Sequence, residues 1–400
     1  MTIPDRAFVA RPSPLVGWAR FVHDTRVRDV ALQGLALAVV AGAVAFFVSN
    51  AAEALRARGI ASGFGYLSQE AGFGIGESLF VTFEPSNSYL RAFVVGLVNT
   101  LRVSLLAIVA ATVLGFVLGI MRLSRNLGAA KLSAAYVELF RNTPQLLQIV
   151  FWYAVMTRLP GPRQAIAAGG DVYVSNRGIV FPWPAADAAY AWMGAAFLLG
   201  VAAVYFLRRW ASARQARSGT APSIGIASAT LLVALPFFVW MLAGAPAALD
   251  RPMLRGLNFV GGATLSPEFV ALFLGLALYT AAFIAEIVRS GIEAVDRGQV
   301  DAARSLGLRQ GQVYRLVVIP QALRVMIPPA AGQYVSLVKS SSLAVAIGYP
   351  DLVNVSNTTL NQTGHVVEAL VAMSLVYLVV SFSISAAMNL YNRLVAIKER

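Results

Sequence analysis

The sequence predicts an all-α polytopic membrane protein of about eight transmembrane helices. Three observations carry that prediction. Hydrophobic residues make up 58% of the 400 and charged residues only 13%, about half the roughly 25% of an average soluble protein. Uncharged apolar runs of about 20 residues, enough to cross a bilayer core of about 30 Å, recur along the chain. Lys and Arg punctuate these runs and do not gather on one soluble face, so the net charge of +13 does not point to nucleic acid. The chain has no cysteine and only two histidines, His23 and His365. That composition excludes a thiolate nucleophile or Cys-ligated metal and makes an imidazole centre a poor reading. Both histidines fall outside the apolar runs, where they are expected to be solvated.

The spans follow in order. Val30–Val48 is preceded by basic residues, but its run exceeds the roughly 7–15 residues of a signal-peptide core, so it reads as a retained anchor. Val103–Met121 is the second span. Thr143–Thr157, the third, is short and carries Pro144, Gln145 and Gln148. Ala188–Leu207 and Ile224–Gly244 are clear, and Phe269–Ala285 extends past Glu286 to Arg289. Val325–Val338 contains Pro328-Pro329 and then meets Lys339; Ala369–Tyr391 closes the set. The third and seventh fit helices buried against protein, where breaks and polar groups are tolerated. Trp152, Tyr153 and Trp192 read as interface aromatics.

Charge tests the order. With the N-terminus inside, eight crossings place 22 Lys and Arg in inner segments and 8 in outer ones, and both termini face the cytoplasm. The chain then divides into a cytoplasmic segment 1–29, an N-terminal helix 30–48, an outer segment 49–91 and a membrane domain 92–400. That domain includes inserted helices within 188–244 and an inner loop 289–324. The Gly-, Pro- and Asn-containing outer stretches Ala51–Arg91 and Arg158–Asp187 show no sustained periodicity. They are expected to fold back as short re-entrant or surface pieces. Arg208–Ser223 reads as a short basic hairpin on the inner side.

The inner loop 289–324 carries the most information. Gly298 is placed to end one helix, and Asp301 to open a short helix that Gly307 closes. A carboxylate at the start of that helix suits the positive end of its dipole. Ala302 and Ala303 offer a face with almost no side chain, open to the backbone of another protein. An amphipathic Val313–Ile319 stretch leads to Pro320 and back to the membrane. Taken alone, these residues also fit an ordinary polar connector with an Ala-rich turn.

The full arrangement resembles the EAA loop of ABC-transporter import permeases. Asp301, Ala302, Ala303, Gly307, Val317, Ile319 and Pro320 match that pattern in spacing, with Asp301 in place of the usual Glu. Further blocks resemble polar amino-acid permeases: Asn99-Thr100-Leu101-Arg102, Gly115 to Gly119, Glu138-Leu139-Phe140-Arg141-Asn142-Thr143-Pro144, Ala285-Glu286-Ile287-Val288-Arg289 and Val338-Lys339-Ser340-Ser341. A core of about five helices, with an added N-terminal helix and an inserted pair, resembles the general L-amino-acid (Aap/Bzt-type) permease subunits.

The resemblance implies an ATP-driven importer subunit in a bacterial inner membrane, with the loop 298–320 docking on a cytoplasmic ABC ATPase dimer. The coupling residues would be Gly298, Asp301, Ala302, Ala303, Gly307 and Pro320. It also implies a second, homologous permease chain, a periplasmic amino-acid-binding protein and an amino-acid substrate. No Gly-Lys dipeptide exists, so the chain has no P-loop; Mg-ATP would bind the partner, and no cofactor is expected in this chain. Asn99, Thr100, Glu286, Lys339 and Ser341 are placed to line or brace a substrate path, since intramembrane ionisable groups are costly unless used. Glu286 and Arg289, at i and i+3, have the simpler alternative of pairing with each other. An ion-coupled secondary transporter of small polar solutes is the competing class. A membrane enzyme gains nothing from the sequence, which shows no convergent catalytic cluster.

Overall fold

The computed structural model describes residues 25–57, 63–219 and 222–395. Six of its helices are long and apolar enough to cross a membrane. They are α1 (Thr25–Ala57), α2 (Tyr89–Arg122), α5 (Ala188–Ser218), α6 (Gly225–Leu242), α7 (Pro267–Glu293) and α11 (Val366–Val395). Between α2 and α5 lie α3 (Leu127–Asn142) and α4 (Gln145–Thr157). A short helix α8 (Arg297–Ser305) precedes α9, a continuous helix made of Gln310–Val313, a π-turn Tyr314–Val318 and Ile319–Ser340. A 3-10 segment, Ser341–Ile347, leads to α10 (Leu352–Thr363). The two weak spans of the sequence are the 13-residue α4 and the proline-bearing α9. Pro328 and Pro329 lie inside α9 on its exposed side, and the helix continues past them.

The core is the contact of α2 with α7. Small residues recur every fourth position on both helices: Ala107, Ala111, Gly115 and Gly119 face Ala277, Ala281 and Ala285, all buried. In lipid, where apolar surface alone does not drive helices together, such stripes let backbones approach and gain packing. The fit leaves no spare room. A Cβ at Gly115 would lie 2.6 Å from the Ile284 Cβ and 2.8 Å from the Ala281 carbonyl oxygen, and Gly119 repeats this against Val288 and Ala285. The same device seats α4 and α9: a Cβ at Gly275 would meet Ile149 at 2.5 Å, and one at Gly291 would meet Met326 at 2.4 Å. Helix α3 covers the Leu114–Met121 end of α2 through Val137, Tyr136 and Phe140. Its Ser133 hydroxyl donates to the Leu118 carbonyl at 2.7 Å.

Two prolines follow π-turns. A proline removes one N–H and crowds the carbonyl four residues earlier; a wider i to i+5 turn relieves both. Pro320 follows the Tyr314–Val318 turn, and Pro236 follows a π-turn at Thr230–Ala234 within α6. The latter turn brings the Leu231 carbonyl oxygen to 2.2 Å from where a Gly200 Cβ would stand, so α5 and α6 pack backbone to backbone.

Two segments differ from expectation. The stretch Arg158–Asp187 is not irregular. It forms β1 (Ile166–Gly169), β2 (Val172–Ser175), β3 (Gly178–Phe181) and β4 (Trp183–Pro184). After α6 come β5 (Leu249–Asp250), β6 (Met253–Arg255), β7 (Asn258–Val260) and β8 (Ala263–Leu265). Strands β1, β2, β3 and β8 form one antiparallel sheet, with Val180 opposite Thr264. Gly170 and Asp171, both at positive φ, make the two-residue turn between β1 and β2. The alternation in Val172-Tyr173-Val174 and Ile179-Val180-Phe181 is a strand signal masked by the surrounding Gly, Pro and Asn. Likewise the basic stretch after Leu207 is not a hairpin: α5 continues through Arg208, Arg209, Arg214 and Arg217 to Ser218, and Gly219 at φ 71 ends it.

The α2–α7 contact generates a prediction. Gly115→Ala forces the two helices apart and should lower the thermal midpoint in detergent, at a cost of about 1–3 kcal/mol. Gly34→Ala in α1, with nothing within 4 Å, should stay within about 0.5 kcal/mol. Equal effects of the two substitutions refute the close-packed core.

Candidate functional site, the inner projection and its supports

Helix α8 begins earlier than the sequence suggested. Asp296 is its N-cap, with its carboxylate accepting the Gly298 N–H at 2.6 Å, so Gly298 opens this helix and does not end α7. Asp301 therefore sits mid-helix and gains no dipole stabilisation; it pairs with Arg304 at 3.8 Å on the exposed face. Gly307 has φ 78, and the C-terminus closes as a Schellman motif: Gly307 N–H to the Arg304 carbonyl at 2.9 Å, Leu308 N–H to Ala303 at 3.3 Å. Ala303 also departs from expectation. It is 4% exposed and packs with Val295, Val313 and Val318, so its missing side chain serves close packing within this chain. Asp301 and Ala302 form the exposed face. Pro320 is half-buried and follows the π-turn of α9.

An apolar cluster fastens α8 to the inner ends of α7 and α9 through Ile284, Val288, Val313, Val318, Ala322 and Met326. Beside it lies a cleft of about 470 Å³ lined by Glu293, Arg297, Arg304, Gln310 and Tyr314, among others.

Glu286 takes the pairing alternative and enlarges it. Its carboxylate accepts from Arg289 at 2.5 Å and from Arg122 of α2, with Arg141 of α3 4.0 Å away. Arg289 also bonds Glu293 at 2.5 Å, and Arg141 stacks over the Phe283 ring at 5.2 Å. One carboxylate thus ties three helices at the ends nearest α8. Such a hub resists separation of the helices, because removing it leaves three half-buried guanidinium groups to repel.

The other proposed pathway residues sit toward the opposite ends of the core helices. Asn99 is 2% exposed, and its amide donates to the carbonyls of Glu77 at 2.9 Å and Pro350 at 3.0 Å. Thr100 accepts the Leu352 N–H at 3.0 Å, and Ser341 donates to Val338 at 2.7 Å. All three hydrogen-bond backbone groups and so brace the packing here. Lys339 is exposed at the end of α9, with no ion pair among the described residues.

Three groups here escaped the sequence. Glu77 pairs with Arg102 at 3.3 Å, both largely buried, and its other oxygen accepts the Ser266 N–H at 3.0 Å at the start of α7. Arg102 lies over the Phe269 ring at 4.2 Å. Asp351 is fully buried as the N-cap of α10, accepting the Asn354 N–H at 2.8 Å and the Tyr377 hydroxyl at 3.5 Å. His365 is not solvated. It stacks on Tyr66 at 4.7 Å and lies 3.8 Å from Glu368. Each also depends on a contact between residues far apart in the chain: Glu77 with Arg102 and Ser266, Asp351 with Tyr377, and His365 with Tyr66. Glu77 and Glu268, the latter bonded by Tyr153 at 3.2 Å, face an outer cleft of about 420 Å³. Among the described residues no three His, Asp or Glu side chains converge on a metal-sized site.

Burial pushes the Asp351 carboxyl up to about 6, against 3.8 ordinarily, and the backbone bonds only partly oppose it. The folded state therefore binds the proton more tightly than the unfolded chain, and stability falls as pH rises through that window. Moving from pH 7 to pH 5 should raise stability by about 1 kcal/mol through this group. Asp351→Asn keeps the cap, so its thermal midpoint should show correspondingly less pH dependence. An unchanged profile in the variant rules Asp351 out as the source.

Residues 111–397 match the family described as binding-protein-dependent transport system inner membrane component. The chain is 44% identical to the general L-amino acid transport system permease protein AapQ of Rhizobium johnstonii, covering 96% of each chain. It is 47% identical to the putative amino-acid ABC transporter permease protein YhdX of Escherichia coli, over 98% of this chain and 99% of that one. It is also 38% identical to the glutamate/glutamine/aspartate/asparagine transport system permease protein BztB of Rhodobacter capsulatus, over 98% of this chain and all of that one. A family match across most of the membrane domain and nearly end-to-end relatives leave one assignment: the chain belongs to the inner-membrane components of binding-protein-dependent transport systems.

Proposed function

We propose that this chain is the membrane-spanning permease of an ATP-driven importer of amino acids. The observation that carries the reading is near full-length similarity to permeases named for amino-acid transport, in a chain that projects an exposed short helix at the inner end of its core. Orientation follows from charge: Arg122, Arg141, Arg289 and Arg304 gather at one end of the core, the cytoplasmic end by the positive-inside rule.

In this reading the Asp301–Ala302 face of α8 docks on a cytoplasmic ATPase that binds Mg-ATP, and Gly307 fixes the angle at which that face is presented. The ATPase acts as a dimer beneath two permease chains, the second being a homologous partner, and a periplasmic protein delivers the amino acid. The chain itself carries out transport and no hydrolysis. Force on α8 reaches the spans by two routes: the apolar cluster around Val313 and Met326, and the short connection from Glu293 to Asp296. The Glu286 hub then makes α2, α3 and α7 respond together. The ion-coupled alternative has no observation in its favour.

Docking is separable from folding. Ala302→Glu changes only the exposed face and leaves the apolar cluster intact, while Gly307→Val puts a β-branched residue at positive φ. Both variants should accumulate in the membrane, and both should lose at least about tenfold in ATP-dependent uptake and ATPase co-purification, equivalent to about 1.4 kcal/mol of binding. Normal uptake with the ATPase attached in both variants reduces α8 to a connector.

A further inference from the structure

The strands inserted between α4 and α7 form a second interaction surface. Their location keeps them out of the hydrocarbon. The end of α4, the start of α5, the end of α6 and the start of α7 all lead into these strands, which therefore lie beyond four helix ends. Open strand edges such as those of β1 and β7 could not be satisfied in lipid either. The sheet is rigidly joined to the core. Strand β8 runs into Ser266, the cap of α7, and the Asn176 N–H donates to the Pro160 carbonyl at 3.0 Å just past α4.

The surface is basic and partly apolar. Arg158, Arg163, Arg177, Arg251 and Arg255 are all exposed, against the acidic Asp171, Asp187 and Asp250 on the same segments, and among the described residues only Arg251 has an ion-pair partner, Asp171 at 3.4 Å. Asp187 is occupied in capping α5. A groove of about 470 Å³ runs between β2 and the β6–β7 hairpin, floored by Tyr173 stacked on Phe259 at 4.7 Å. Arg163 and Arg251 flank it, and Met253 and Leu254 stand exposed at its edge.

We infer that this platform is the docking surface for an acidic face of the amino-acid-delivering protein, an inference that rests on the importer reading. Unpaired arginines supply long-range attraction to carboxylates. A concave groove with a stacked aromatic floor takes a protruding side chain of a shaped partner, and an exposed methionine adapts to it. A fluid lipid surface presents no such protrusion. Because the sheet continues into α7 and abuts α4, a partner seated there acts directly on core helices.

The test uses the complete transporter in nanodiscs, with ATPases and partner permease, and the binding protein that stimulates the wild-type ATPase activity. Arg177→Glu combined with Arg255→Glu alters two arginines that have no ion pair. The half-stimulating concentration of binding protein should rise about tenfold or more, with unstimulated ATPase activity unchanged. Arg214→Glu at the far end of α5 should leave it where it was. An unchanged half-stimulating concentration in the double variant overturns the proposal. So does a shift seen only in nanodiscs of anionic lipid, which assigns the arginines to headgroups. A wild-type complex that no binding protein stimulates refutes the importer reading itself, and the docking surface with it.

Discussion

Everything in this molecule hangs on the backbone approach of α2 to α7. Glycine and alanine at every fourth position bring the two helices so close that a single methyl at Gly115 or Gly119 finds no space. Lipid tails are as apolar as leucine, so helices gain nothing from hiding side chains from lipid, and dense packing must supply the association energy. Once α2 and α7 are seated, the other core helices have only one place to go. Ile149 of α4 enters the notch at Gly275, and Met326 of α9 enters the notch at Gly291. The core is assembled by notches cut into α7.

That arrangement explains why the polar groups lie where they do. From Phe269 to Ala285 α7 carries no charged side chain; its charges are Glu268 in the first turn and Glu286, Arg289 and Glu293 toward the other end. At the inner end Glu286 collects arginines from three helices, and at the outer end Ser266 is held by Glu77, itself paired with Arg102. The carboxylates of Glu286 and Glu77 are each answered by a guanidinium, the condition under which such burial is tolerable. Asp351 and Glu368 differ: among the described residues no guanidinium pairs with either, Asp351 being held by hydrogen bonds from Asn354 and Tyr377 and Glu368 by the Gly63 N–H, with His365 3.8 Å away. Asn99 and Thr100 bond backbone groups of the segments that cap the core, and Ser341 bonds the last turn of α9.

The helices were legible because their signals are local. A run of 20 apolar residues needs no partner to be recognised, and Gly307 declares a helix end by the conformation only glycine takes easily. Contact information was not local. The sequence shows Ala302 and Ala303 side by side but not which one faces home; the burial of Ala303 depends on Val313 and Val318 returning beneath it. Gly298 looked like a terminator because its helix-opening role depends on Asp296, whose cap appears only when the backbone has turned. The strands were missed for a different reason. Alternation over three or four residues is a weak signal beside spans of twenty, and β3 finds its partner β8 more than eighty residues away.

One helix joins both faces of the protein. α7 is 27 residues long, about 40 Å at 1.5 Å per residue, and it is unbroken. Its first residue follows the β8 platform, and three residues separate its last from the start of α8. α7 is therefore a stiff link between the platform and α8, with α2 locked to its side through the glycine stripe. The Glu286 hub lies near the inner end of that rod, where α3 is tied in by Arg141. A rod that could bend would dissipate motion between the two faces; α7 has no proline past its first turn, and its glycines are filled by neighbouring side chains. The close packing that holds the fold together is also what stiffens α7 along the whole length between the platform and α8.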